Sequence, residues 1–203
     1  EAHVADVRAE ALRHLAESGI AADVVQRFWQ DLGAEYFLRY DAPSIAWHAE
    51  TILAGAGRAE WPVVATRYQS DVGGSEFLIY TPDRPDLFVL MTSGFDRLNL
   101  SIMDARIHTT RTGFALDTYV VLDHAGQAIE EPQALARLRD TMREHMLNPK
   151  PGRDPRQARK ARAGPGAEVE AAPDAPDPAA APPVSAEPKP GPLAERFRTW
   201  LEH

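Results

Sequence analysis

The apolar positions of this chain change period twice, and the changes divide it. Over residues 2–18, Val4, Val7, Ala11, Leu12 and Leu15 recur on one helical face, and Gly19 supplies a stop. A second helical stripe runs through Val24, Val25, Phe28, Trp29 and Leu32, with Asp23 as its expected cap and Gly33 at its end. After Tyr36-Phe37-Leu38-Arg39-Tyr40, Pro43-Ser44 opens a third short helix carrying Ile45, Trp47, His48 and Leu53. Helices this short bury little alone, so residues 1–60 read as a helical connector packed on something larger.

From Trp61 the period becomes that of strands. Val63–Tyr68 and Ser75–Tyr80 flank the turn Asp71-Val72-Gly73-Gly74. A helix follows with Leu87, Leu90, Met91, Gly94, Phe95 and Leu98 in one buried stripe. Leu100–Thr110 is strand-like, with Met103, Ala105 and Ile107 on one parity and Leu100 and Ile102 on the other, which predicts a bulge or an exposure switch near Ile102. Beyond the turn Arg111-Thr112-Gly113, the next strand sets Phe114, Leu116, Thr118, Val120 and Leu122 inward and Asp117 and Asp123 outward. Pro132 starts a last helix with Leu135, Leu138, Met142 and Met146 inward. Residues 61–149 are therefore an α+β unit: a small antiparallel sheet with helices on one face.

Pattern ends at Pro149. Residues 150–192, a basic run (Arg153 to Arg162) and then almost only Ala, Pro, Gly and acids, have too little apolar surface to offset the entropy of ordering and read as a disordered linker. Residues 193–203 read as a truncated terminal segment. Leu201-Glu202-His203 has the look of a tag remnant, and the start at Glu1, already helical, that of a piece of a longer chain.

Composition narrows the function. A net charge of −8 argues against a nucleic-acid or anionic-membrane surface. With no cysteine, thiolate metal sites and thiol nucleophiles are excluded. No apolar run approaches the roughly 18–20 residues of a membrane span, and a cytoplasmic location is the expectation.

The run Thr81-Pro82-Asp83-Arg84-Pro85-Asp86 raises the question of chemistry. Gly73-Gly74-Ser75 followed by Asp83 and Asp86 superficially suggests a nucleotidyltransferase site. That chemistry needs two carboxylates on one side of a strand to hold Mg²⁺, whereas acids three apart around a proline suit a helix start. The seven histidines are scattered, and Asp123-His124 sits at a strand end beside a turn, which speaks against a hydrolase metal cluster. The spacing instead predicts a closed cap: Asp83 as N-cap, Pro85 in the first turn, and Asp86 at the third position reaching the free amides. His48 beside Trp47 reads as a packing or hydrogen-bonding residue.

Taken in order, Tyr36-Phe37-Leu38-Arg39, Ile45-Ala46-Trp47-His48, Gly73-Gly74-Ser75-Glu76, Tyr80-Thr81-Pro82-Asp83-Arg84-Pro85-Asp86-Leu87-Phe88, Asp96-Arg97-Leu98-Asn99-Leu100, Asp104-Ala105-Arg106-Ile107 and Thr109 to Thr118 resemble the bifunctional uridylyltransferase and uridylyl-removing enzymes of nitrogen regulation. The resemblance spans about residues 20–148 and falls on the connector and the first of two ACT domains. It implies a ferredoxin-like ACT fold and a regulatory, glutamine-sensing segment without catalytic residues of its own. For the parent enzyme it implies transfer of UMP to the PII signal protein and its removal, with Mg²⁺. It implies no cofactor in this segment. The partners implied are PII, glutamine and other domains of the same chain.

ACT domains that bind amino acids receive the ligand carboxylate at this helix start, with an Asn before the next strand. The implied ligand residues are Asp83, Arg84, Asp86 and Asn99. Binding members carry glycine where Asp86 stands, so Asp86 is expected to occupy the ligand carboxylate's place and to leave the isolated domain unresponsive to glutamine. The alternative is an interaction scaffold whose ACT face docks another domain or PII without an amino acid.

Overall fold

A computed structural model describes residues 2–56 and 61–149, and the linker and terminal segment read from the sequence lie outside the described residues. Three helices lead: α1 (Ala2–Leu15), α2 (Ala22–Leu32) and α3 (Ala42–Ala56), with a short 3₁₀ turn at Tyr36–Leu38 before α3. Then follow β1 (Val63–Gln69), β2 (Gly74–Pro82), α4 (Leu87–Arg97), β3 (Ser101–Thr109), β4 (Phe114–Leu122) and α5 (Pro132–Leu147).

The four strands form one antiparallel sheet in the order β1-β2-β4-β3. The fold is α+β, and β1 beside β2 supplies the fourth strand of the sheet. The expected irregularity in β3 is present, a register shift between Ile102 and Asp104. It leaves Met103 as the extra residue, 62% exposed, on a strand at the sheet's edge.

Helices α4 and α5 cover one face, as the pattern predicts. Phe77, Ile79, Ala115, Tyr119 and Val121 of the sheet pack there with Met91, Phe95 and Met142. The other face is buried too. Leu78, Tyr80, Phe114 and Leu116 pack against Phe28, Trp29, Tyr36, Ile45 and Ile52 of the leading helices. The sheet is thus the middle of three layers, and the something larger on which the connector packs is the sheet itself.

That second cover corrects one reading of β4. Its two parities were assigned to core and solvent, but both are buried, and Asp117, expected on the outward face, is only 2% exposed. On β3 the apolar alternation of Met103 and Ile107 is real, yet both are exposed because no element covers the edge strand.

The caps also differ from expectation. Asp23 lies inside the first turn of α2, where it pairs with Arg27 one turn on at 3.4 Å, and Ala21 holds the cap position without a side-chain bond. The third helix starts from Asp41, whose carboxylate accepts the Ser44 amide at 3.0 Å while its carbonyl accepts Ile45 N–H.

Candidate functional site

Strand β2 outlasts the apolar run that predicts it and continues through Thr81 and Pro82. The backbone N–H of Asp83 then donates to Gly113 O at 2.9 Å, and its carboxylate accepts the Thr109 hydroxyl at 3.3 Å. Asp83 is therefore committed to the β3–β4 hairpin and cannot cap a helix. A turn closes from Leu87 N–H to Arg84 O at 3.1 Å, so α4 begins at Leu87, one turn later than the spacing suggested.

Asp86 thereby becomes the N-cap residue instead of the third helical one, and its side chain makes no cap bond. Its carboxylate lies outward, 3.0 Å from Arg84 Nε, with both side chains well exposed. The closed cap expected from the sequence is absent. Leu90 N–H bonds Asp86 O, but among the described residues the amides of Phe88 and Val89 meet no acceptor. Two donors at the positive end of an 11-residue helix stand open, while the nearby Arg84 guanidinium pairs with Asp86.

Asn99 belongs to the opposite end of α4. It takes the left-handed conformation, φ 53°, and closes the helix: its N–H donates to Asp96 O, and Leu100 N–H donates to Phe95 O. Eleven residues of helix separate it from the corner, about 16 Å at 1.5 Å per residue. Of the four implied ligand residues the structure gathers Asp83, Arg84 and Asp86, and Asn99 is a helix stop.

The corner opens onto a groove of about 400 Å³ lined by Asp83, Arg84, Pro85, Leu87, Phe88, Ile107 and Asp117. The register explains Asp117's presence: on β4 it lies opposite Ile79 of β2 and Ile107 of β3, on the face toward α4. The carboxyl meets the His108 backbone and the Tyr119 hydroxyl, but among the described residues its Oδ1 has no hydrogen-bond partner. Burial, reinforced by the nearby Asp83 charge, pushes its carboxyl up to about 7. Burial likewise pushes the neighbouring Tyr119 hydroxyl upward, with the Asp117 charge adding to the effect. The sequence carried a signal for this residue, since Ala115, Tyr119 and Val121 share its parity and mark that face as apolar.

A larger cavity of about 560 Å³ lies on the other face of the sheet, lined among others by Arg39, Asp41, Ser44, Glu76, Asp104 and Arg106. Its charges already serve one another. Arg67 Nε donates to Glu76 at 2.7 Å and Arg67 Nη2 to the Ser44 hydroxyl at 2.9 Å, while its guanidinium lies 4.0 Å from the Trp47 ring centroid. Arg106 pairs with Asp104 at 3.2 Å and donates to Arg39 O. That network seats the leading helices on the sheet.

Deeper in the same interface, Tyr36 and His48 are joined at 2.6 Å from the hydroxyl to Nδ1. Burial lowers the His48 imidazole to about 3, so it is a neutral core residue. Among the described residues no group of three or more His, Cys, Asp or Glu side chains is arranged to hold a metal ion. Asp123 accepts the amides of Ala125 and Gln127 and so shapes a turn. No helix of the described residues is long and apolar enough to cross a membrane.

Residues 1–51 match the family described as the fifth domain of uridylyltransferase GlnD. The chain is 38% identical over 152 residues to a bifunctional uridylyltransferase/uridylyl-removing enzyme of Pseudomonas syringae pv. tomato, covering 73% of this chain and 17% of that enzyme. It is 35% identical over 212 residues to the enzyme of the same name from Pseudomonas fluorescens, covering all of this chain and 23% of that one. The Pseudomonas aeruginosa enzyme is 37% identical over 152 residues, 73% of this chain and 17% of its own length. The chain thus spans about a fifth of the length of these relatives. No solved structure matches it.

Proposed function

Since the chain belongs to the family of bifunctional uridylyltransferase/uridylyl-removing enzymes, we propose that it is the regulatory segment of an enzyme that transfers UMP to the PII protein and removes it. The parent enzyme would act in the cytoplasm with Mg²⁺, its chemistry carried by other domains. This segment reads glutamine at the corner between β2 and α4. One observation carries that reading: the Phe88 and Val89 amides are open beside Arg84, because Asp86 turns outward instead of capping the helix. A carboxylate is the natural ligand of such a helix start. The groove beneath is of the size that holds a small molecule. Calorimetric titration of the full chain with L-glutamine tests it. Saturable heat is expected, and its absence at millimolar glutamine overturns the reading.

A second reading has its own support. β3 is an edge strand of nine residues, with Met103 and Ile107 exposed on it and Phe88 and Val89 exposed on α4. Such an edge suits docking of another domain or of PII. PII binding that ignores glutamine and is lost in Ile107→Lys would favour a scaffold over a sensor.

A further inference from the structure

Asp117 is a buried carboxyl group that the fold satisfies only in part, through the His108 backbone and the Tyr119 hydroxyl. It sits in the middle strand pair of the sheet, 2% exposed, among Ala115, Tyr119 and Val121 on an otherwise apolar face. Its Oδ1 bonds nothing. A buried oxygen left without a donor is destabilising, and more so when it carries charge. Three other buried polar side chains of the sheet show the contrast. Glu76 is held by Arg67 at 2.7 Å, Thr118 by the Tyr40 hydroxyl at 3.0 Å, and Ser75 by both the amide and the carbonyl of Ile129.

What Asp117 does have is a groove. It lines the same opening as Asp83, Arg84, Leu87 and Phe88, so a molecule seated there meets two kinds of charge at once. Phe88, whose amide is open, and Arg84, whose guanidinium pairs with Asp86 at 3.0 Å, line the groove with donors suited to an anion. Two carboxyl groups also line it, the exposed Asp83 and the buried Asp117, close enough that the charge on Asp83 disfavours ionisation of Asp117. The cationic side chain of the lining, Arg84, is paired with Asp86. The pair lacks only a positive donor, and a cation arriving there would relieve the repulsion and satisfy the orphan oxygen together.

We infer that Asp117, with Asp83 beside it, is the receptor for a ligand's ammonium group, and that the site therefore selects α-amino acids over carboxylates that lack the amine. The inference rests on the ligand site proposed above and adds the feature that sets its specificity. The carboxylate goes to the helix start, the ammonium to Asp117, and the side chain toward the open end past Ile107 and Phe88. No covalent step is involved.

The test uses the full chain and two probes that differ only in the amine: L-glutamine and glutaramate, the same five-carbon amide acid without the α-amino group. The unmodified chain is expected to prefer glutamine by tenfold or more. In Asp117→Asn, which keeps shape and removes charge, that preference is expected to fall below about threefold. A merely structural role for Asp117 would weaken both probes alike and leave the ratio intact. An unchanged ratio, or equal binding of both probes by the unmodified chain, overturns the inference while the glutamine site stands. A chain that ignores glutamine but binds another amino acid with the same dependence on its amine and on Asp117 overturns the glutamine reading and keeps the inference. Binding of no amino acid overturns both. Asp117→Leu serves as a second variant should the amide fold poorly.

Discussion

The carboxylate of Asp31, near the end of α2, holds Thr112 in the hairpin turn between β3 and β4 with two hydrogen bonds, 2.8 Å from the backbone N–H and 2.6 Å from the hydroxyl. The Asp31 carbonyl accepts the Arg111 amide at 3.0 Å, and next to it the His108 imidazole donates to Leu32 O at 2.8 Å. The leading helices are thus bonded to the same hairpin whose Gly113 carbonyl and Thr109 hydroxyl fix Asp83 at the corner. A displacement of α2 and a change at the corner share this hairpin as a common element.

Removing the clamp should be costly. Asp31 is 8% exposed, and Asp31→Ala strands the Thr112 amide while deleting two charge-assisted bonds. We expect a loss of about 2–4 kcal/mol in urea unfolding. Asp31→Asn keeps one acceptor and should cost about half as much. A change below about 0.5 kcal/mol in the alanine variant would show that the clamp does not hold the layers together.

Asp117 and His48 should shape the pH profile in opposite senses. The folded state holds the Asp117 proton up to about 7, while the unfolded chain releases it near its ordinary 3.8. Stability contributed by this neutral carboxyl is present at low pH and is lost as pH rises from 4 to 7. His48 is neutral in the fold down to about 3 but protonates near 6.5 when unfolded, so its contribution is lost as pH falls below 6.5. Between pH 4 and 6.5 the two slopes offset one another. Asp117→Asn should therefore be more stable than the parent at pH 8, on the order of 3 kcal/mol. It should also lose stability more steeply on acidification. A difference profile flat from pH 4 to 8 would contradict the burial of Asp117.

The Tyr36–His48 pair fixes a tautomer. If the tyrosine donates to Nδ1, one polar hydrogen, Nε2–H, is left without a partner, whereas the reverse arrangement strands both the hydroxyl hydrogen and Nε2. The Nε2–H form is expected in the ¹⁵N spectrum at neutral pH. Tyr36→Phe should cost about 1–3 kcal/mol by leaving Nδ1 unbonded in the core. An Nδ1–H signal would reverse the donor and acceptor.

Gly74 tests the packing of β2 against β4. A methyl group there would lie 2.7 Å from Val120 Cγ1 and 3.0 Å from the Val121 carbonyl oxygen. A β-branched side chain and a strand backbone have little room to give, so Gly74→Ala should destabilise by about 1–3 kcal/mol despite the alanine's smaller backbone entropy loss.

The elements were legible in the sequence where one face of each faces a core. The stripe from Leu87 to Phe95 placed α4, and the parity change at Ile102 placed the bulge in β3. The failures have a common cause, a partner distant in sequence. The sequence pattern sets Asp117 outward because it grants β4 a single buried face, and nothing local announces that its even-numbered residues meet α1 to α3 while its odd-numbered ones meet α4 and α5. The corner was misread because Asp-Arg-Pro-Asp suits a capping box, whereas Gly113 and Thr109, on the hairpin after α4, draw Asp83 into the sheet. Asp41, three residues before Ser44, was the cap signal that went unread.

The central claim is that the open start of α4 receives an amino-acid carboxylate above Asp117. The most direct measurement follows the backbone amides of the full chain during titration with L-glutamine. Phe88 and Val89 should shift saturably and together, with Ile107 and Asp117 moving in step, while Ser44 and Arg106 on the opposite face stay still. A saturable response confined to Arg39, Ser44 and Arg106, or no response at Phe88 and Val89, would contradict the account.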